Sequence, residues 1–322
     1  MNVCVLVLGD AGRSPRMQYH CISLANELCV KSVTLVGVAG QRCVEDLESH
    51  PKVQKNLIAE DMTKGLSRKL FLIYAPVKII TQSFKLFFIL MTIPNLDLIL
   101  IQNPPCIPTF AVAGVVKLLR GTKIMIDWHN LGFTILAYSA GSVIVYVAKM
   151  YEVYLAYVFS DEHICVTKAM REWLLENVGM SSVTVQYDKP PVMFHRRTIE
   201  EQHQLFENIS QPLMGRNVFT CERKGSCQSL ADRPFILVSS TSWTPDEDFG
   251  VLLAALEVLD TDNILPRRIL CIVTGQGPQK EMYLAKIQKM NMKQIDVRTM
   301  WLEAEDYPKL LGSADLVSGL CF

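Results

Sequence analysis

Residues 9–17 read Gly-Asp-Ala-Gly-Arg-Ser-Pro-Arg-Met, and they join a predicted strand to a predicted helix. The apolar run Val3–Leu8 before them is typical of a buried parallel strand. After them, apolar residues spaced by four, three and four positions indicate one face of a helix, formed by Met17, Cys21, Leu24 and Leu28. The chain therefore opens with a strand, a glycine turn and a helix N-terminus, as an α/β fold does.

The glycine turn has features of an anion-binding site. Ser14 is a plausible N-cap and Pro15 a natural first helical residue. Unpaired backbone N–H groups point outward at such a helix start, and Arg13 and Arg16 would add positive charge there. Because the turn lacks a complete Gly-x-Gly-x-x-Gly, a tight turn with two solvated arginines is the alternative.

Length and composition favour two domains and contact with a membrane. The 322 residues suffice for two domains of ordinary size. Lys+Arg and Asp+Glu both total 32, so no nucleic acid is expected as a partner. Half of the residues are hydrophobic and the mean hydropathy is +0.21, which is high for a soluble enzyme. The ten cysteines form no C-x-x-C pair, which indicates reduced thiols on the cytosolic side.

Up to about residue 190, apolar strand patterns alternate with helical ones, which predicts a doubly wound parallel sheet. The apolar segment Phe133–Phe159 is predicted to be helical, with a break near Ser139–Ser142. After the first strand, the predicted strands are Ser32–Gly37, Val53–Ala59, Leu96–Gln102, Lys123–Asp127, His163–Val166 and Val183–Gln186.

The longest apolar segment, Leu70–Ile93, predicts a helix that contacts either a membrane or the core of its domain. Two lysines near its middle argue against a membrane-spanning helix. A helix lying on a membrane, with basic side chains near the headgroups, fits the pattern, and an amphipathic helix of the domain is the alternative. The basic residues concerned are Lys64, Arg68, Lys69, Lys78 and Lys85.

The remainder of the chain is predicted to contain a linker and a second domain. Residues 191–233 are polar with little periodicity beyond one short helical patch, which indicates a linker or surface insertion. A second alternation of strands and helices starts at Pro234, with strands predicted at Phe235–Ser239, Ile269–Val273 and Ile295–Arg298. Because the chain stops soon after a fourth strand near Ala314–Val317, residues 234–322 are expected to form a truncated domain.

Two doubly wound domains predict a cleft lined by the carboxyl ends of both sheets. The candidate segments are Gly9–Met17, Gln102–Pro105 and Asp127–Asn130 in the first domain, and Ser239–Thr244, Gly275–Gly277 and Trp301–Asp306 in the second. His129 follows a strand end and is expected to accept a proton, with Asp10 as the rival base. Glu303 and Glu305 either complement a helix N-terminus or hold a ribose hydroxyl.

Several long motifs together resemble the GT-B glycosyltransferases, and among them the mannosyltransferases that act on dolichol-linked chitobiose. The resemblance extends from about residue 3 to Leu316. Its motifs are Gly9–His20, Gln102–Pro105, Asp127–Asn130, Tyr187–Pro190, Ser239–Thr244 with Asp246–Phe249, Thr274–Pro278 and Trp301–Pro308. It implies two Rossmann-like domains that face a cleft: residues 1–190 for the acceptor and the membrane, and residues 234–322 for the nucleotide sugar.

The resemblance also implies a reaction and its site. The reaction is an inverting transfer of mannose from GDP-mannose to GlcNAc2-PP-dolichol in a β-1,4 linkage, on the cytosolic face of the endoplasmic reticulum membrane. No bound cofactor or metal is expected, and other glycosyltransferases of the pathway are expected partners. The acceptor and its pyrophosphate are assigned to Gly9, Gly12, Arg13, Ser14, Arg16, Asn103, Asp127 and Asn130, and the donor to Ser240, Thr241, Ser242, Trp243, Gly275, Gly277, Glu303 and Glu305.

The chain departs from the family's pattern at both ends. Family members usually carry a hydrophobic N-terminal anchor, whereas Met1 here adjoins the first strand, and the family's donor-binding residues beyond Leu316 have no counterpart before Phe322. The alternative is therefore a catalytically inactive, membrane-associated truncation that binds the lipid acceptor or a partner glycosyltransferase. The incomplete glycine motif argues against a nucleotide-sugar epimerase or dehydrogenase.

Overall fold

The structure, a computed structural model, describes residues 1–59, 68–190, 193–244, 247–261, 266–303 and 305–319, without the side chains of residues 68–74 and 212. It divides the chain into two compact units, Met1–Asp188 and Lys189–Phe322. Of the residues singled out above, Lys64, Asp246 and Ala304 lie outside the described part, as do the side chains of Arg68 and Lys69.

The first unit contains a seven-stranded sheet. Its strands are β1 (Asn2–Asp10), β2 (Ser32–Val38), β3 (Val53–Ile58), β4 (Leu96–Asn103), β5 (Lys123–Trp128), β6 (Glu162–Cys165) and β7 (Thr184–Val185). Their order is β3-β2-β1-β4-β5-β6-β7, and every neighbouring pair is parallel. The strand order reverses between β1 and β4, the position at which open α/β sheets bind their ligands.

Helices bury both faces of this sheet. They are α1 (Pro15–Asn26), α2 (Glu45–Glu48), α3 (Arg68–Thr92), α4 (Thr109–Arg120), α5 (Gly132–Ala137), α6 (Ser142–Phe159) and α7 (Lys168–Val178). Side chains alternate along β1, so that Cys4 and Leu6 join one apolar cluster while Val3, Val5 and Val7 join the other. The predicted doubly wound sheet is confirmed.

Two details of the helices bear on the sequence-based predictions. The break predicted near Ser139–Ser142 is confirmed, because α5 ends at Ala137 and α6 begins at Ser142. The apolar stripe predicted for α1 is wrong at its last position. Leu28 lies beyond the end of the helix at Asn26 and is fully exposed.

Helices α3 and α6 are long and apolar enough to cross a membrane by length and composition, over Ala75–Thr92 and Ser142–Phe159. Each also packs one side into the first unit, since Leu86 and Leu90 of α3 and Ala156 of α6 are buried in the same cluster. Their opposite sides expose large apolar side chains. This geometry is common to both predictions for α3, a helix on a membrane and an amphipathic helix of the domain.

The second unit has its own parallel sheet. Its elements are α8 (Ile199–Met214), β8 (Thr220–Arg223), β9 (Ser226–Ser229), β10 (Phe235–Ser240), α9 (Phe249–Thr261), β11 (Ile269–Thr274), α10 (Lys280–Met290), β12 (Ile295–Met300), α11 (Asp306–Ser313) and β13 (Leu316–Gly319). Four parallel strands are ordered β12-β11-β10-β13, and β8 pairs with β9 in an antiparallel hairpin. Ile236 and Val238 of β10 face one cluster and Leu237 the other, which is again a Rossmann-like arrangement.

The prediction of a linker or surface insertion over residues 191–233 is wrong for helix α8, which packs into the core of the second unit. Four apolar residues of α8, namely Leu205, Phe206, Ile209 and Leu213, are buried with Ile236 and Val238 of the central strand. Three of them recur at intervals of four residues, so they form one face of the helix. The polar exposed face dominated the composition and concealed this buried stripe.

Candidate functional site

A buried carboxylate lies at the carboxyl end of β5. The side chain of Asp127 is completely inaccessible and accepts two hydrogen bonds from Arg16, at 2.7 Å from Nε and 3.0 Å from Nη2. The same guanidinium donates to Asp188 Oδ1 and to the carbonyl of Gln186, both at 2.8 Å. Arg16 therefore ties the first turn of α1 to β5 and to the segment that follows β7.

Two histidines share this carboxylate. His20 of α1 and His129, which directly follows β5, each place Nε2 3.0 Å from Asp127 Oδ2. Because an ionised carboxylate can only accept hydrogen bonds, each ring donates through its Nε2–H. In a neutral ring this leaves Nδ1 as the proton acceptor. The backbone N–H of His129 also donates to the carbonyl of Asn103, at 2.9 Å.

The contacts keep Asp127 ionised. Burial alone would raise the pKa of this carboxyl, but hydrogen bonds from His129, His20 and Arg16 outweigh burial and hold the pKa well below its usual range. Asp127 is therefore a fixed negative charge at neutral pH, and it sets the orientation of both imidazole rings.

A second buried carboxylate supports the end of β4. Asn103 is buried, and its Nδ2 donates to Glu152 Oε1 at 2.7 Å and to the carbonyl of Asn130 at 3.2 Å. Glu152, on α6, also accepts from the backbone N–H groups of Gly132 and Phe133 at 2.9 and 3.0 Å. Burial raises the pKa of Glu152, although these hydrogen bonds oppose the shift. Sequence reasoning missed Glu152, for which the one available signal is an acidic residue in an apolar helix.

Asp10 holds the glycine turn rather than facing outward. Its carboxylate accepts from the backbone N–H of Gly12 at 3.0 Å and, with both oxygens, from that of Gln41 at 3.1 Å. A Cβ at Gly12 would lie 2.1 Å from the Gln41 carbonyl oxygen, so glycine permits this close approach. Ser14 occupies the N-cap position of α1, but its Oγ bonds to the Asp10 carbonyl at 3.3 Å instead of capping the helix.

The structure corrects the prediction that Arg16 faces a phosphate. Its side chain is only 10% exposed, and four of its five N–H groups bond within the first unit. Arg13 is exposed and has no hydrogen bond or ion pair within the described residues. Asn130 is exposed and Gly9 is partly exposed, with only Val7 Cγ1 at 4.0 Å from the position of a Cβ, so both are accessible for the predicted acceptor site. Their roles stay predictions.

In the second unit, hydroxyl groups meet at the carboxyl ends of the strands. Ser240 Oγ, at the end of β10, lies 2.7 Å from the hydroxyl of Tyr307 and 3.0 Å from Thr274 Oγ1, at the end of β11. Tyr307 lies on α11, directly after the segment Trp301–Asp306 that was predicted to line this domain's wall, and sequence reasoning did not select it as a site residue. The three hydroxyls form a neutral cluster that can exchange hydrogen-bond roles.

The loop after β10 is held by its own contacts. Glu247 Oε2 accepts from Thr241 Oγ1 at 2.9 Å and from the Ser242 backbone N–H at 2.5 Å. Trp243 has a φ of 51° and is fully buried, with its ring centroid 4.7 Å from that of Phe249. The prediction that the Trp243 side chain lines a donor surface is therefore wrong, because this ring fills the core behind the loop.

The predicted donor glycines allow two loops to touch. A Cβ at Gly275 would lie 1.8 Å from the Thr241 carbonyl oxygen, and one at Gly277 would lie 1.7 Å from that of Ser242. Glu303 and Glu305 are exposed, with Glu305 at the N-cap position of α11, and their roles stay predictions. Within the described ranges, no group of three or more His, Cys, Asp or Glu residues could hold a metal ion.

Comparisons with known proteins identify relatives along the whole chain, although no protein-family model matches it. The human chitobiosyldiphosphodolichol beta-mannosyltransferase is 41% identical over 342 residues, which cover 99% of this chain and 72% of the relative. The Arabidopsis thaliana UDP-glycosyltransferase TURAN is 35% identical, with 99% and 76% covered.

Solved structures share the fold at low sequence identity. Sucrose-phosphate synthase from Thermosynechococcus elongatus matches with a TM-score of 0.62 and 11% identity, over 97% of this chain and 74% of that one. A glycosyltransferase from Rickettsia africae ESF-5 matches with a TM-score of 0.54 and 13% identity, over 98% and 72%. The predicted GT-B fold class is confirmed. The relatives show that the chain belongs to the chitobiosyldiphosphodolichol β-mannosyltransferase family of glycosyltransferases.

Proposed function

We propose that the chain transfers mannose from GDP-mannose to chitobiose linked through pyrophosphate to dolichol, in a β-1,4 linkage. The names of the relatives support the mannosyl group and the lipid-linked chitobiose. The observation that carries the proposal is the pairing of His129 with Asp127 at the carboxyl end of β5. The first unit then binds the acceptor, and the second binds the nucleotide sugar.

The proposed chemistry is a single displacement with inversion at the anomeric carbon. The 4-hydroxyl oxygen of the acceptor sugar forms the new bond to that carbon while its proton passes to Nδ1 of His129. The bond between the anomeric carbon and the phosphate oxygen breaks, and GDP leaves with the electron pair. Asp127 holds the ring with Nδ1 available and stabilises the positive charge that the ring acquires.

The contacts favour His129 over Asp10 as the base. Both oxygens of Asp10 already accept backbone N–H groups, so protonating it would weaken the glycine turn. His129 keeps 24% of its side chain exposed, whereas His20 keeps 12%. We assign His20 a positioning role, in which it shares Asp127 and limits the freedom of that carboxylate.

For the donor, the proposal uses groups of the second unit. Ser240, Thr274 and Tyr307 offer hydroxyls at the strand ends, and Thr241, Ser242, Gly275 and Gly277 form the adjoining loops. Loops of this kind present backbone N–H groups that stabilise charge developing on a departing diphosphate. Glu303 and Glu305 are the candidates for a ribose hydroxyl.

An exposed apolar surface supports a location on a membrane. Helix α3 packs beside α4, and α4 packs beside α6, so their outer sides adjoin. We call this surface the apolar face; it consists of Val77, Ile80, Phe84 and Phe88 of α3, Leu118 and Leu119 of α4, and Val143, Val147, Tyr154 and Tyr157 of α6, each at least 55% exposed. Contiguous exposed apolar side chains of this extent mark an interaction surface. We infer that this face lies on the cytosolic leaflet of the endoplasmic reticulum, where other glycosyltransferases of the pathway would be neighbours.

A transfer assay tests the function. The chain, in phosphatidylcholine vesicles, is given radiolabelled GDP-mannose and GlcNAc2-PP-phytanyl, and the lipid product is digested with β-mannosidase to test the linkage. His129→Ala should lower the rate by about 10²–10⁴-fold, the range for a lost general base, whereas the exposed His195→Ala should retain activity.

The identity of the donor is tested in separate reactions, because one relative is named as a UDP-glycosyltransferase. UDP-glucose and UDP-N-acetylglucosamine replace GDP-mannose under the same conditions, and neither should support transfer. Transfer from a UDP-sugar alone would contradict the proposed donor. Absence of any transfer, with retained binding of the lipid acceptor, would instead support the inactive acceptor-binding alternative.

A further inference from the structure

The first unit contains a pocket of about 420 Å³ that the proposed chemistry does not use. It lies among the turn after β4, helix α5 and helix α6, and its walls include Pro104, Pro105, Phe133, Leu136 and Ala148. Its volume falls within the range of about 300–1,000 Å³ that is typical of small-molecule sites. The walls are mainly apolar, so the pocket suits a hydrocarbon group.

One end of this pocket adjoins the proposed catalytic residues. Pro104 directly follows Asn103, whose carbonyl accepts the backbone N–H of His129. Glu152 also lines the pocket, but its oxygens are bonded to Asn103, Gly132 and Phe133. Three donors therefore compensate the carboxylate of Glu152, so its presence in the wall does not prevent an apolar group from binding in the pocket.

Another side of the pocket adjoins the apolar face. Ile135 of α5 lines the pocket and is 48% exposed, and Tyr138, at the end of α5, is 72% exposed. Ala148 lines the pocket from α6, the helix that also carries Val143 and Val147 of the apolar face. A chain that leaves the pocket along α5 and α6 thus meets the exposed apolar side chains of Ile135 and Tyr138, beside the exposed Ser139.

A lysine stands at the edge of the pocket. Lys149 Nζ lies 5.4 Å from the ring centroid of Phe133, a wall residue, and 5.9 Å from that of Trp173. Lys149 has no carboxylate partner among the residues that the structure describes. The ammonium group, held over two aromatic rings, is available to an anion outside the pocket.

We propose that this pocket binds the isoprene units nearest the diphosphate of the lipid acceptor, and that Lys149 contacts the diphosphate. The inference rests on the proposed function, which supplies a polyprenyl diphosphate as the ligand. The cation at the pocket edge matches the diphosphate of that ligand, the apolar pocket matches its first isoprene units, and the adjoining apolar surface matches the rest of its chain. A neutral detergent would fill the pocket but would offer no anion to Lys149.

Photo-crosslinking tests this placement directly. The probe is GlcNAc2 diphosphate attached to a short prenyl chain with a diazirine in its first isoprene unit, added to the full chain in phosphatidylcholine vesicles. Peptides from Phe133–Leu136 and from the part of α6 around Ala148 should carry the label. A second probe, with the diazirine in its last isoprene unit, should label the apolar face instead. Identical labelling by both probes would overturn the proposal.

Matched substitutions separate the pocket from its surroundings. Ala148→Trp should fill the pocket and reduce first-unit labelling at least about tenfold, which corresponds to about 1.4 kcal/mol of binding free energy. Ala137→Trp, on the exposed side of α5, should leave the labelling unchanged. Equal labelling in the Ala148→Trp and wild-type chains would contradict the pocket assignment.

A charge substitution tests Lys149. Lys149→Met should weaken the diphosphate probe about tenfold but leave labelling by the corresponding prenyl alcohol unchanged. Lys123→Met, at the opposite end of β5, should affect neither probe. Equal weakening of the alcohol and the diphosphate would mean that Lys149 acts through packing and would contradict the proposed contact.

The outcomes separate this inference from the proposed function. If the wild-type chain transfers mannose while Ala148→Trp keeps normal labelling and a normal KM for the lipid acceptor, the pocket assignment fails and the function stands. If the wild-type chain transfers no mannose but the first-unit probe still labels α5 and α6, the pocket stands and the function fails.

Discussion

The strand ends of the two units carry different chemistry on the same topology. In the first unit, Asp127 gathers a guanidinium and two imidazoles around one buried carboxylate. In the second unit, Ser240 gathers the hydroxyls of Thr274 and Tyr307, all uncharged. Both clusters follow parallel strands, so the fold determines their location and the residue types determine what they can do.

Because of this difference, the cluster of the first unit suits proton transfer and the cluster of the second unit suits recognition of a ligand. A buried charge with fixed donors can bias the protonation of a neighbouring ring, which a base needs. Neutral hydroxyls and closely packed loops form hydrogen bonds in a fixed geometry but carry no net charge. If the comparison is sound, substitutions in the first unit should act through electrostatics, and those in the second through backbone packing.

The largest effect is expected from Asp127→Ala. It removes the buried acceptor from Arg16 and from both histidines, and removing one partner of a buried charge pair costs about 3–5 kcal/mol. Local protection of the β5 amides, measured by hydrogen–deuterium exchange with mass spectrometry, should fall by that amount. Asp188→Asn removes the exposed partner of the same arginine and should cost at most about 1 kcal/mol. Similar losses of β5 protection in Asp127→Ala and Asp188→Asn would contradict the view that the buried carboxylate organises the charged cluster of the first unit.

A smaller effect, confined to the second unit, is expected from Gly275→Ala. The new Cβ would meet the Thr241 carbonyl oxygen, and the φ of 129° is strained for alanine. We expect a loss of roughly 2–4 kcal/mol in the protection of the β11 amides. Gly319→Ala has nothing within 4 Å of the new Cβ and serves as the control. Unchanged β11 protection in Gly275→Ala would show that the two loops can separate at little cost.

The two carboxylates of the first unit should respond oppositely to pH. Hydrogen bonds outweigh burial and hold the pKa of Asp127 below its ordinary value of 3.8, so its stabilisation is lost as pH falls below about 3.8. Burial raises the pKa of Glu152 above 4.5, so stability falls as pH rises through its folded pKa.

Urea unfolding across the pH range measures both slopes, by subtraction of Asp127→Asn and of Glu152→Gln from the wild type. The slope should be positive with rising pH for Asp127 and negative for Glu152, and neither should exceed about 1.4 kcal/mol per pH unit. Slopes of the same sign would contradict the conclusion that hydrogen bonds outweigh burial at Asp127 whereas burial outweighs hydrogen bonds at Glu152.

The smallest effect is expected from Tyr307→Phe, which removes one neutral hydrogen bond to Ser240. A loss of about 0.5–1.5 kcal/mol is typical of such a bond. Urea unfolding should detect it, and the stability difference should be insensitive to pH between 5 and 8. A pH-dependent difference would show that the second cluster contains a titrating group after all.

Most of the fold follows from local patterns in the sequence. Apolar runs such as Val3–Leu8 and Lys123–Asp127 mark strands because parallel strands are buried on both faces. The interruption near Ser139–Ser142 correctly divided one apolar segment into two helices. Only a short helical patch was recognised within residues 191–233, and the full length of helix α8 was not, because its four buried apolar residues are diluted by a polar exposed face.

The site was less predictable, because its contacts are long-range. His129 and Asp127 could be selected from their place after a strand, but the partnership of Arg16 with Asp127 joins residues 111 apart. No local pattern indicates that a charged side chain near a helix N-terminus turns inward instead of meeting an anion. Glu152 and Tyr307 likewise gain their roles from distant neighbours, Asn103 and Ser240.

The central claim is that Asp127 leaves Nδ1 of His129 free to accept a proton. Nitrogen-15 NMR of the chain with labelled histidine measures this directly, with the His129 signals among the six histidines identified by their absence in His129→Gln. In the neutral ring, we predict a proton on Nε2, a bare Nδ1 and loss of this preference in Asp127→Asn. A proton on Nδ1, or the same tautomer in Asp127→Asn, would contradict the claim.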